Sequence, residues 1–159
     1  MILSYQTLKE TFPRVVSPFE EEKKIAFGMS YGLSSAGYDV RIDLERYSNG
    51  KWFIEPGEFF LASTIEYLNI PLDMAAEVKD KSTWARKGLS AFNTFIDPGF
   101  NGFLTLELVN NYHNRLELHH GMPIVQIIFH KLDRPTEVGY SGKYQGQAKG
   151  PQEAILEGV

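Results

Sequence analysis

The sequence of 159 residues contains no cysteine. A chain without thiols has no disulfides, no thiolate zinc site, no iron–sulfur cluster and no cysteine nucleophile. Positive charge is not in excess either, since 16 lysines and arginines stand against 20 aspartates and glutamates, a net charge of −4. This balance argues against a nucleic acid polymer or an anionic membrane surface as partner, whereas a free nucleotide needs only a few local cations.

Long apolar runs are absent as well. No run approaches the roughly 18 residues that cross a membrane. The segment Met1–Glu10 has no positive stretch followed by an apolar one, so it does not resemble a signal peptide. We therefore expect a cytoplasmic protein. The length fits a single domain, and a hydrophobic content of 43%, with 13% aromatic residues, is enough to build its core.

Short segments of alternating polar and apolar residues dominate the middle of the chain. Tyr38–Leu44 alternates from residue to residue, and Phe103–Val109 and Ile124–His130 have the composition of strands. Turns rich in glycine and proline separate such segments at intervals of roughly ten residues, which is typical of barrels and sandwiches. The pattern therefore predicts an all-β fold, either a barrel or a sandwich.

Both ends of the chain depart from this pattern. Ser4–Phe12 predicts a short helix, with Ser4 as its N-cap and Pro13 as its end. From Gly139 onward, glycine, glutamine and lysine replace the apolar pattern, and a segment with so few anchors is expected to be mobile. We therefore divide the chain into a barrel domain, residues 1–138, and a flexible tail, residues 139–159.

Glu107 is a candidate for acid–base chemistry. It lies in Phe103–Val109, where leucines occupy alternate positions, so Glu107 shares the opposite face with Thr105 and apolar neighbours. A carboxylate among hydrophobic groups has a raised pKa and can transfer protons near neutral pH. Because glutamate is rarely buried, the alternative from this strand alone is a solvent-facing residue on the outside of a barrel.

Other segments could bind a phosphorylated ligand. Lys79–Leu89 groups several cations with two hydroxyls, which oligophosphates require, although a charged surface turn has the same composition. It contains neither a P-loop nor a G-x-G-x-x-G pattern. Tyr140–Gln147 combines a cation, phenols and amides that could fold over a ligand. The 4 histidines lack the spacing of zinc motifs, so no protein-bound metal is predicted.

Taken in order along the chain, these segments resemble the dCTP deaminase branch of the dUTPase superfamily. Ser35–Arg41 is similar to the first superfamily motif, Gly121–Gln126 to the fourth, and Lys81–Leu89 to the pattern R-S-S-x-A-R-x-G-L. Ile96–Leu108 matches I-D-x-G-F-x-G-x-x-T-L-E-L, and Gly142–Gln147 matches G-K-Y-Q-G-Q. The similarity extends over nearly the whole chain.

The resemblance implies a distorted β-barrel of the dUTPase-like β-clip type, assembled as a homotrimer with active sites between subunits. It also implies hydrolytic deamination of dCTP to dUTP in pyrimidine deoxynucleotide metabolism, without zinc. Mg²⁺ would be bound through the triphosphate, and dTTP would be an inhibitor. Zinc deaminases instead need H-x-E and P-C-x-x-C motifs, and a chain without cysteine cannot supply the second.

The same resemblance implies roles for individual residues. Glu107 would be the general base and acid, while Ser82 and Arg86 would orient the attacking water and stabilise the intermediate. Asp97 would hold the 3′-hydroxyl of the deoxyribose. The other substrate contacts, most of them to phosphate, would come from Lys81, Ser82, Thr83, Arg86, Gln126, Tyr140, Lys143, Tyr144 and Gln147.

Two other functions fit the same fold. A dUTPase, or a bifunctional enzyme, would release dUMP and pyrophosphate, with Asp97 activating water for attack on the α-phosphate. Ordinary dUTPases resemble this chain at Tyr38, Asp39 and Asp97 but need no carboxylate at position 107, so Glu107 favours deamination. The third possibility is a regulatory barrel without activity, and the joint presence of all the catalytic candidates argues against it.

Overall fold

The structure is a computed structural model that describes residues 1–158. The helices are α1 (Tyr5–Thr11) and α2 (Ser82–Ala85), and 3₁₀ turns lie at Phe12–Arg14 and Ser48–Gly50. The strands are β1 (Val16–Ser17), β2 (Lys24–Ala26), β3 (Met29–Leu33), β4 (Tyr38–Asp43), β5 (Lys51–Ile54), β6 (Phe59–Asn69), β7 (Met74–Asp80), β8 (Leu89–Ala91), β9 (Phe95–Ile96), β10 (Asn101–Asn110), β11 (Leu116–His119) and β12 (Pro123–Lys131).

Most of the strands form one curved antiparallel sheet. Its main order is β8-β10-β6-β4-β12-β7-β9, with β1 added to β6 and the β2–β3 hairpin added to β4, while β5 and β11 pair separately. The sheet curls until its two ends approach each other, since the Asp80 carboxylate at the end of β7 accepts a hydrogen bond from the Ala91 N–H of β8 at 2.7 Å. The result is a distorted half-barrel, which confirms the predicted all-β class.

Successive side chains of the central strand β10 alternate between the core and the opposite face of the sheet. Leu104, Leu106 and Leu108 are buried, with exposed fractions of 8% or less, whereas Thr105 and Glu107 on the opposite face are half-buried. Each buried leucine contributes about 1.5–3 kcal/mol, and a slip of one residue would exchange the two faces. Burial of the leucines therefore holds Glu107 on the outer face of this strand.

A buried ion pair links β4 to β6. Glu66 is fully buried, and its Oε1 accepts a hydrogen bond from Arg41 Nε at 2.7 Å. Its Oε2 accepts a second from the Arg41 backbone N–H at 2.8 Å. Burial raises the pKa of Glu66, and the hydrogen bonds and charge of Arg41 act in the opposite direction. This carboxylate has the partners that a buried charge requires.

The amino-terminal helix is present as predicted, with different capping. Ser4 precedes α1, but its side chain makes no capping hydrogen bond. Pro13 lies within the 3₁₀ turn that continues the chain beyond α1. Leu8 and Phe12 are fully buried and attach this end of the chain to the core.

The β2–β3 hairpin has no signal in the sequence. Ala26 pairs with Met29, so Phe27 and Gly28 form a two-residue turn with φ angles of 52° and 72°. Hairpin turns with positive φ at both positions favour asparagine, aspartate or glycine. Because phenylalanine is not among these residues, the turn and its two strands are not predicted.

The tail lies against β10. Gly102 and Gln147 form a parallel bridge, and the Phe103 N–H donates to the Gln147 carbonyl at 3.0 Å. A side chain at Gly102, where φ is +146°, would place its Cβ 2.7 Å from the Gln147 nitrogen, so the close approach requires glycine. The expected mobility of residues 139–159 stays a prediction, and Val159 lies outside the described residues. Within residues 1–158, no helix is long and apolar enough to span a membrane.

Candidate active site

A cavity of about 500 Å³ opens beside the face of β10 that carries Glu107. That volume falls in the range of about 300–1,000 Å³ that is usual for small-molecule sites. Strands β6 and β9 contribute to its walls, and the tail contributes to its rim. The lining residues are Phe59, Leu61, Thr94, Phe95, Ile96, Asp97, Phe100, Leu104, Thr105, Glu107, Tyr140, Tyr144, Gln147, Gln152, Glu153 and Ala154.

Glu107 is the half-buried carboxylate of this cavity. Its neighbour across the sheet is Leu61 on β6, which also lines the cavity. Burial raises the pKa of Glu107 above the ordinary value of a glutamate. Within residues 1–158, no lysine, arginine or histidine forms an ion pair with it. A carboxylate with a raised pKa and no ionic partner is suited to accept and release a proton during a reaction.

Asp97 lies on the cavity wall in the turn after β9. The backbone carbonyl of Asp97 accepts a hydrogen bond from the Phe100 N–H at 3.2 Å, and the Pro98 carbonyl accepts one from the Tyr140 N–H at 2.7 Å. The rings of Phe100 and Tyr140 meet edge to face, with centroids 5.9 Å apart. The turn that places Asp97 is therefore also the point where the tail begins to pack on the barrel.

The tail brings further predicted residues to the cavity. The Tyr144 N–H donates to the Tyr140 hydroxyl at 3.2 Å, and both side chains line the cavity. Gln147 is buried, and its side-chain amide donates to Thr105 Oγ1 at 2.9 Å. Lys143 is exposed and does not line the cavity; its Nζ lies 5.5 Å from the centre of the Tyr144 ring.

The predicted phosphate segment lies outside the cavity. Ser82, Thr83 and Arg86 are exposed on and beside α2, and none of them is among the lining residues. Arg86 Nη1 donates to the Ser82 carbonyl at 3.0 Å. Trp84 is buried, and its ring N–H donates to the Pro123 carbonyl at 2.7 Å, which fixes α2 on the sheet. The short helix therefore presents a hydroxyl-rich, cationic surface to its surroundings.

Lys81 and Gln126 also lie away from the cavity. Lys81 is buried, and its Nζ contacts Asp39 Oδ2 at 2.8 Å and Ser30 Oγ at 3.3 Å. Gln126 is half-buried on β12, and its side-chain amide donates to Ser34 Oγ at 3.3 Å. In the described chain, the ammonium of Lys81 thus joins β4 to the start of α2.

A second polar cluster lies apart from the cavity. It consists of Asp43, Glu45 and His120. Each of these residues offers one atom that could bind a metal ion, and the three atoms lie within 4.8 Å of one another. Lys149 of the tail already places its ammonium 2.6 Å from Glu45 Oε2 and 3.6 Å from Asp43 Oδ2. The hydrogen bond from Lys149 lowers the pKa of Glu45. Lys149 therefore connects the tail to this cluster by an exposed ion pair.

Comparison with known proteins identifies the family to which this chain belongs. The profile of dCTP deaminase-like proteins matches residues 35–132. The dCTP deaminase of Pyrococcus horikoshii is 35% identical over 144 residues, which cover 85% of this chain and 86% of the relative. This chain belongs to the dCTP deaminase-like family. Another relative is the dUMP-forming dCTP deaminase of Aquifex aeolicus, 35% identical over 163 residues that cover 92% of this chain and 91% of that protein.

Solved structures of other proteins share the fold of this chain. The dUTPase of EIAV superposes with a TM-score of 0.54 at 19% identity, covering 69% of this chain and 87% of that one. A mutant dUTPase from phage phi11 of S. aureus, described with a structural Mg(II) ion, has a TM-score of 0.55 at 16% identity, covering 80% of this chain and 95% of that one. These similarities establish the dUTPase-like fold.

Several lining residues of this dCTP deaminase-like protein are not among the predicted ones. Thr105 shares the Glu107 face, so the alternation of β10 already indicates its position. Phe59 and Phe95 are exposed aromatic residues at strand ends, and their position on the wall depends on how the sheet curls. Gln152, Glu153 and Ala154 lie beyond the last recognisable motif, and no local pattern indicates them.

Proposed function

We propose that this protein deaminates dCTP to dUTP and ammonia, with Glu107 as the general acid and base. The observation that carries the proposal is a half-buried glutamate with a raised pKa inside a cavity of small-molecule size. The family supplies the substrate class, since its named relatives are dCTP deaminases. Acid–base catalysis by a positioned side chain contributes about 10²–10⁴-fold to a rate.

The proposed chemistry uses Glu107 as a proton shuttle. Glu107 accepts a proton from water as the water oxygen bonds to C4 of cytosine, and it passes that proton to N3. The second proton of the water then travels through Glu107 to the amine, the C4–N bond breaks, and ammonia leaves the new C4 carbonyl. Because Glu107 has no ionic partner in residues 1–158, its carboxylate remains available for both transfers.

A homotrimer is part of the proposal. The predicted residues fall into two sets that this chain does not bring together, since Glu107 and Asp97 face the cavity while Ser82, Thr83 and Arg86 are exposed on and beside α2. A site completed by α2 of a neighbouring copy accounts for both sets. Arg86 and Ser82 of that copy would then orient the water and stabilise the charged intermediate.

The other predicted contacts follow from this arrangement. Asp97 would accept a hydrogen bond from the 3′-hydroxyl at the cavity wall, and Tyr140 and Tyr144 would enclose the nucleotide on the tail side. Lys143 is exposed and close to the cavity rim, from which its flexible side chain can reach phosphate. The predicted phosphate contacts of Thr83, Gln126 and Gln147, and the part played by Lys81, belong to the same proposal.

Mg²⁺ fits the proposed site through the substrate. The residues assigned to phosphate carry hydroxyl, amide or cationic groups (Lys81, Ser82, Thr83, Gln126, Lys143 and Gln147). None of these groups is a carboxylate, which is the protein ligand that Mg²⁺ prefers. The exposed groups among them, on Ser82, Thr83 and Lys143, would therefore bind phosphate oxygens and leave the ion to the triphosphate, where it neutralises charge. Inhibition by dTTP and a cytoplasmic location remain predictions from the sequence.

A second candidate is further hydrolysis to dUMP and pyrophosphate. It is favoured by a specific observation, because Asp97 and Glu107 line the same cavity and can serve different steps on one nucleotide. A relative that covers most of this chain is a dUMP-forming dCTP deaminase. In this alternative, Asp97 would activate the water that attacks the α-phosphate.

One set of incubations tests both candidates. The purified protein is supplied with dCTP or with dUTP in the presence of Mg²⁺, and ammonia, dUTP, dUMP and pyrophosphate are measured separately. Ammonia and dUTP from dCTP establish deamination, and dUMP with pyrophosphate establishes the second step. Release of no ammonia from dCTP contradicts the proposed function.

Subunit mixing tests the shared site. Glu107→Gln and Arg86→Ala subunits are each expected to be inactive, and co-expression of the two is expected to restore part of the ammonia release. Recovery follows because a mixed trimer contains sites with an intact Glu107 from one subunit and an intact Arg86 from the next. Light scattering gives the mass of the assembly, and an active protein of 18.1 kDa would contradict the trimer.

A further inference from the structure

Thr105 lies at the place where the tail crosses the cavity. It is half-buried on β10, two residues before Glu107 and on the same face. The register between β10 and β6 shifts between Phe103 and Thr105, so the strand is irregular just before this position. The side chain of Thr105 lines the cavity together with Glu107 and the tail.

The Thr105 hydroxyl binds the tail at two points. Its oxygen accepts one hydrogen bond from the side-chain amide of Gln147 at 2.9 Å and another from the backbone N–H of Gln152 at 3.0 Å. A hydroxyl oxygen has two lone pairs, so these two donors use its full capacity as an acceptor. One oxygen atom therefore closes the segment Gln147–Gln152 into a loop on the cavity wall.

The contacts of the tail change in kind at Gln147. Up to and including Gln147, backbone hydrogen bonds hold the tail to β10. The Gly146 N–H donates to the Asn101 carbonyl at 2.9 Å, and the Phe103 N–H donates to the Gln147 carbonyl at 3.0 Å. After it, the tail forms no backbone–backbone hydrogen bond with the barrel in the described chain. The hydrogen bond from Gln152 to Thr105 therefore decides where the following cavity-lining residues lie.

The other polar contacts beyond Gln147 come from exposed residues of the tail. The Ile155 N–H donates to the Tyr144 hydroxyl at 3.1 Å, within the tail itself. The exposed ammonium of Lys149 pairs with exposed Glu45 and also lies 3.6 Å from Oδ2 of buried Asp43. An ion pair with an exposed ammonium contributes little to stability. The contact at Thr105 is by comparison half-buried and adjacent to the catalytic strand.

We infer that Thr105 is a positioning residue, whose hydroxyl places Gln152, Glu153 and Ala154 as a wall of the cavity beside Glu107. The inference rests on the proposed function for its catalytic meaning, and on the two hydrogen bonds for its geometry. Thr105 acts through the tail, because a tail that is already docked when the nucleotide arrives does not have to be ordered at the expense of binding free energy. Loss of the acceptor would free the segment after Gln147 while leaving the β10 leucines and Glu107 unchanged.

Thr105→Val and Thr105→Ser separate the hydroxyl from the shape of the side chain. Valine keeps the branched shape but cannot accept a hydrogen bond, and serine keeps the acceptor. Thr11→Val is the matched control, because the Thr11 hydroxyl donates to the Thr7 carbonyl within α1 and Thr11 does not line the cavity. Each variant is examined by hydrogen exchange of the free protein and by initial rates of ammonia release from dCTP.

The expected result has two parts. Thr105→Val speeds exchange in the peptide covering residues 148–155 without changing β10, and raises KM for dCTP about tenfold with a smaller change in kcat, as loss of two hydrogen bonds predicts. Thr105→Ser and Thr11→Val keep both properties close to those of the unsubstituted protein.

Several outcomes would overturn the inference. Equal exchange of residues 148–155 in Thr105→Val and the unsubstituted protein shows that the hydroxyl does not hold the tail. A lower KM in Thr105→Val shows that the docked tail obstructs the nucleotide. Equal defects in the serine and valine variants point to packing. If no variant acts on dCTP, the proposed function fails, and hydrogen exchange alone decides whether Thr105 docks the tail.

Discussion

Two glutamates on neighbouring strands of the same sheet have opposite surroundings. Glu66 on β6 is fully buried and receives hydrogen bonds from both the side chain and the backbone of Arg41. Glu107 on β10 is half-buried in a cavity and has no cation paired with it among residues 1–158. Burial raises the pKa of both carboxyls, but Arg41 opposes the shift only at Glu66.

The comparison separates a structural carboxylate from a reactive one. A fully buried charge needs permanent partners, because its desolvation is otherwise too costly. Partners of that kind would also make proton exchange with a substrate difficult. Glu107 keeps access to the cavity and retains a raised pKa, which is the arrangement that general acid–base catalysis uses. A pKa raised by burial therefore indicates different roles for the two glutamates once their partners are known.

The largest expected effect is on stability, at Glu66. Glu66→Ala leaves the Arg41 guanidinium without its partner and is expected to lower the free energy of unfolding by about 3–5 kcal/mol. Urea denaturation followed by fluorescence measures the change. Glu117→Ala is the control, since Glu117 is exposed and its substitution should alter stability little.

A double variant tests whether charge or shape matters more at the Glu66–Arg41 pair. Glu66→Gln combined with Arg41→Met removes both charges and keeps an acceptor for the Arg41 backbone N–H. It is expected to be more stable than Glu66→Ala, because replacing a whole buried pair costs less than breaking it. A double variant as unstable as Glu66→Ala would mean that shape rather than charge dominates at this site.

The next largest effect is on the reaction, at Glu107. Glu107→Gln keeps the size of the side chain but cannot accept a proton, so ammonia release from dCTP should fall by at least about 10²-fold. Calorimetry should show that the variant still binds dCTP. Near-normal ammonia release would remove Glu107 from the mechanism, and Glu117→Gln controls for a general effect of losing a glutamate.

The smallest effect is the pH dependence of stability in the same variant. Because burial raises the pKa of Glu107, the folded state binds more protons than the unfolded state between the unfolded and folded pKa values. The contribution of Glu107 to the free energy of unfolding therefore falls as pH rises from the unfolded to the folded pKa, and it stays lower at higher pH. Glutamine does not titrate, so Glu107→Gln does not lose stability in this pH range for this reason.

Melting temperatures across a pH series check the sign of this effect. The variant and the unsubstituted protein should melt together at acid pH, below the ordinary pKa of a glutamate, and the variant should melt higher at neutral pH. If the two proteins melt together at acid pH and the variant melts below the unsubstituted protein at neutral pH, the idea that burial destabilises charged Glu107 is contradicted. Sites shaped for reaction often carry such a cost in stability.

Prediction from sequence succeeds where local periodicity decides the structure. The alternation of leucines places Glu107 and Thr105 on the outer face of β10, and the Asp97 turn is evident from its proline and glycine. The hydroxyls and cations of α2 are likewise evident. The turn at Phe27 is not, since its residue type gives no sign of positive φ. The sequence also does not show that the predicted site residues divide between the cavity and α2.

The all-β class, the absence of thiol chemistry, the family motifs and the face on which Glu107 lies can all be predicted without a structure, because composition and short-range patterns carry these properties. The fold is needed to show that Glu66 is paired with Arg41 and that Glu107 has no ionic partner within residues 1–158. It is also needed to show that the Thr105 oxygen accepts hydrogen bonds from both ends of Gln147–Gln152. Each of these contacts joins residues dozens of positions apart, so it exists only when the sheet curls and the tail returns to β10.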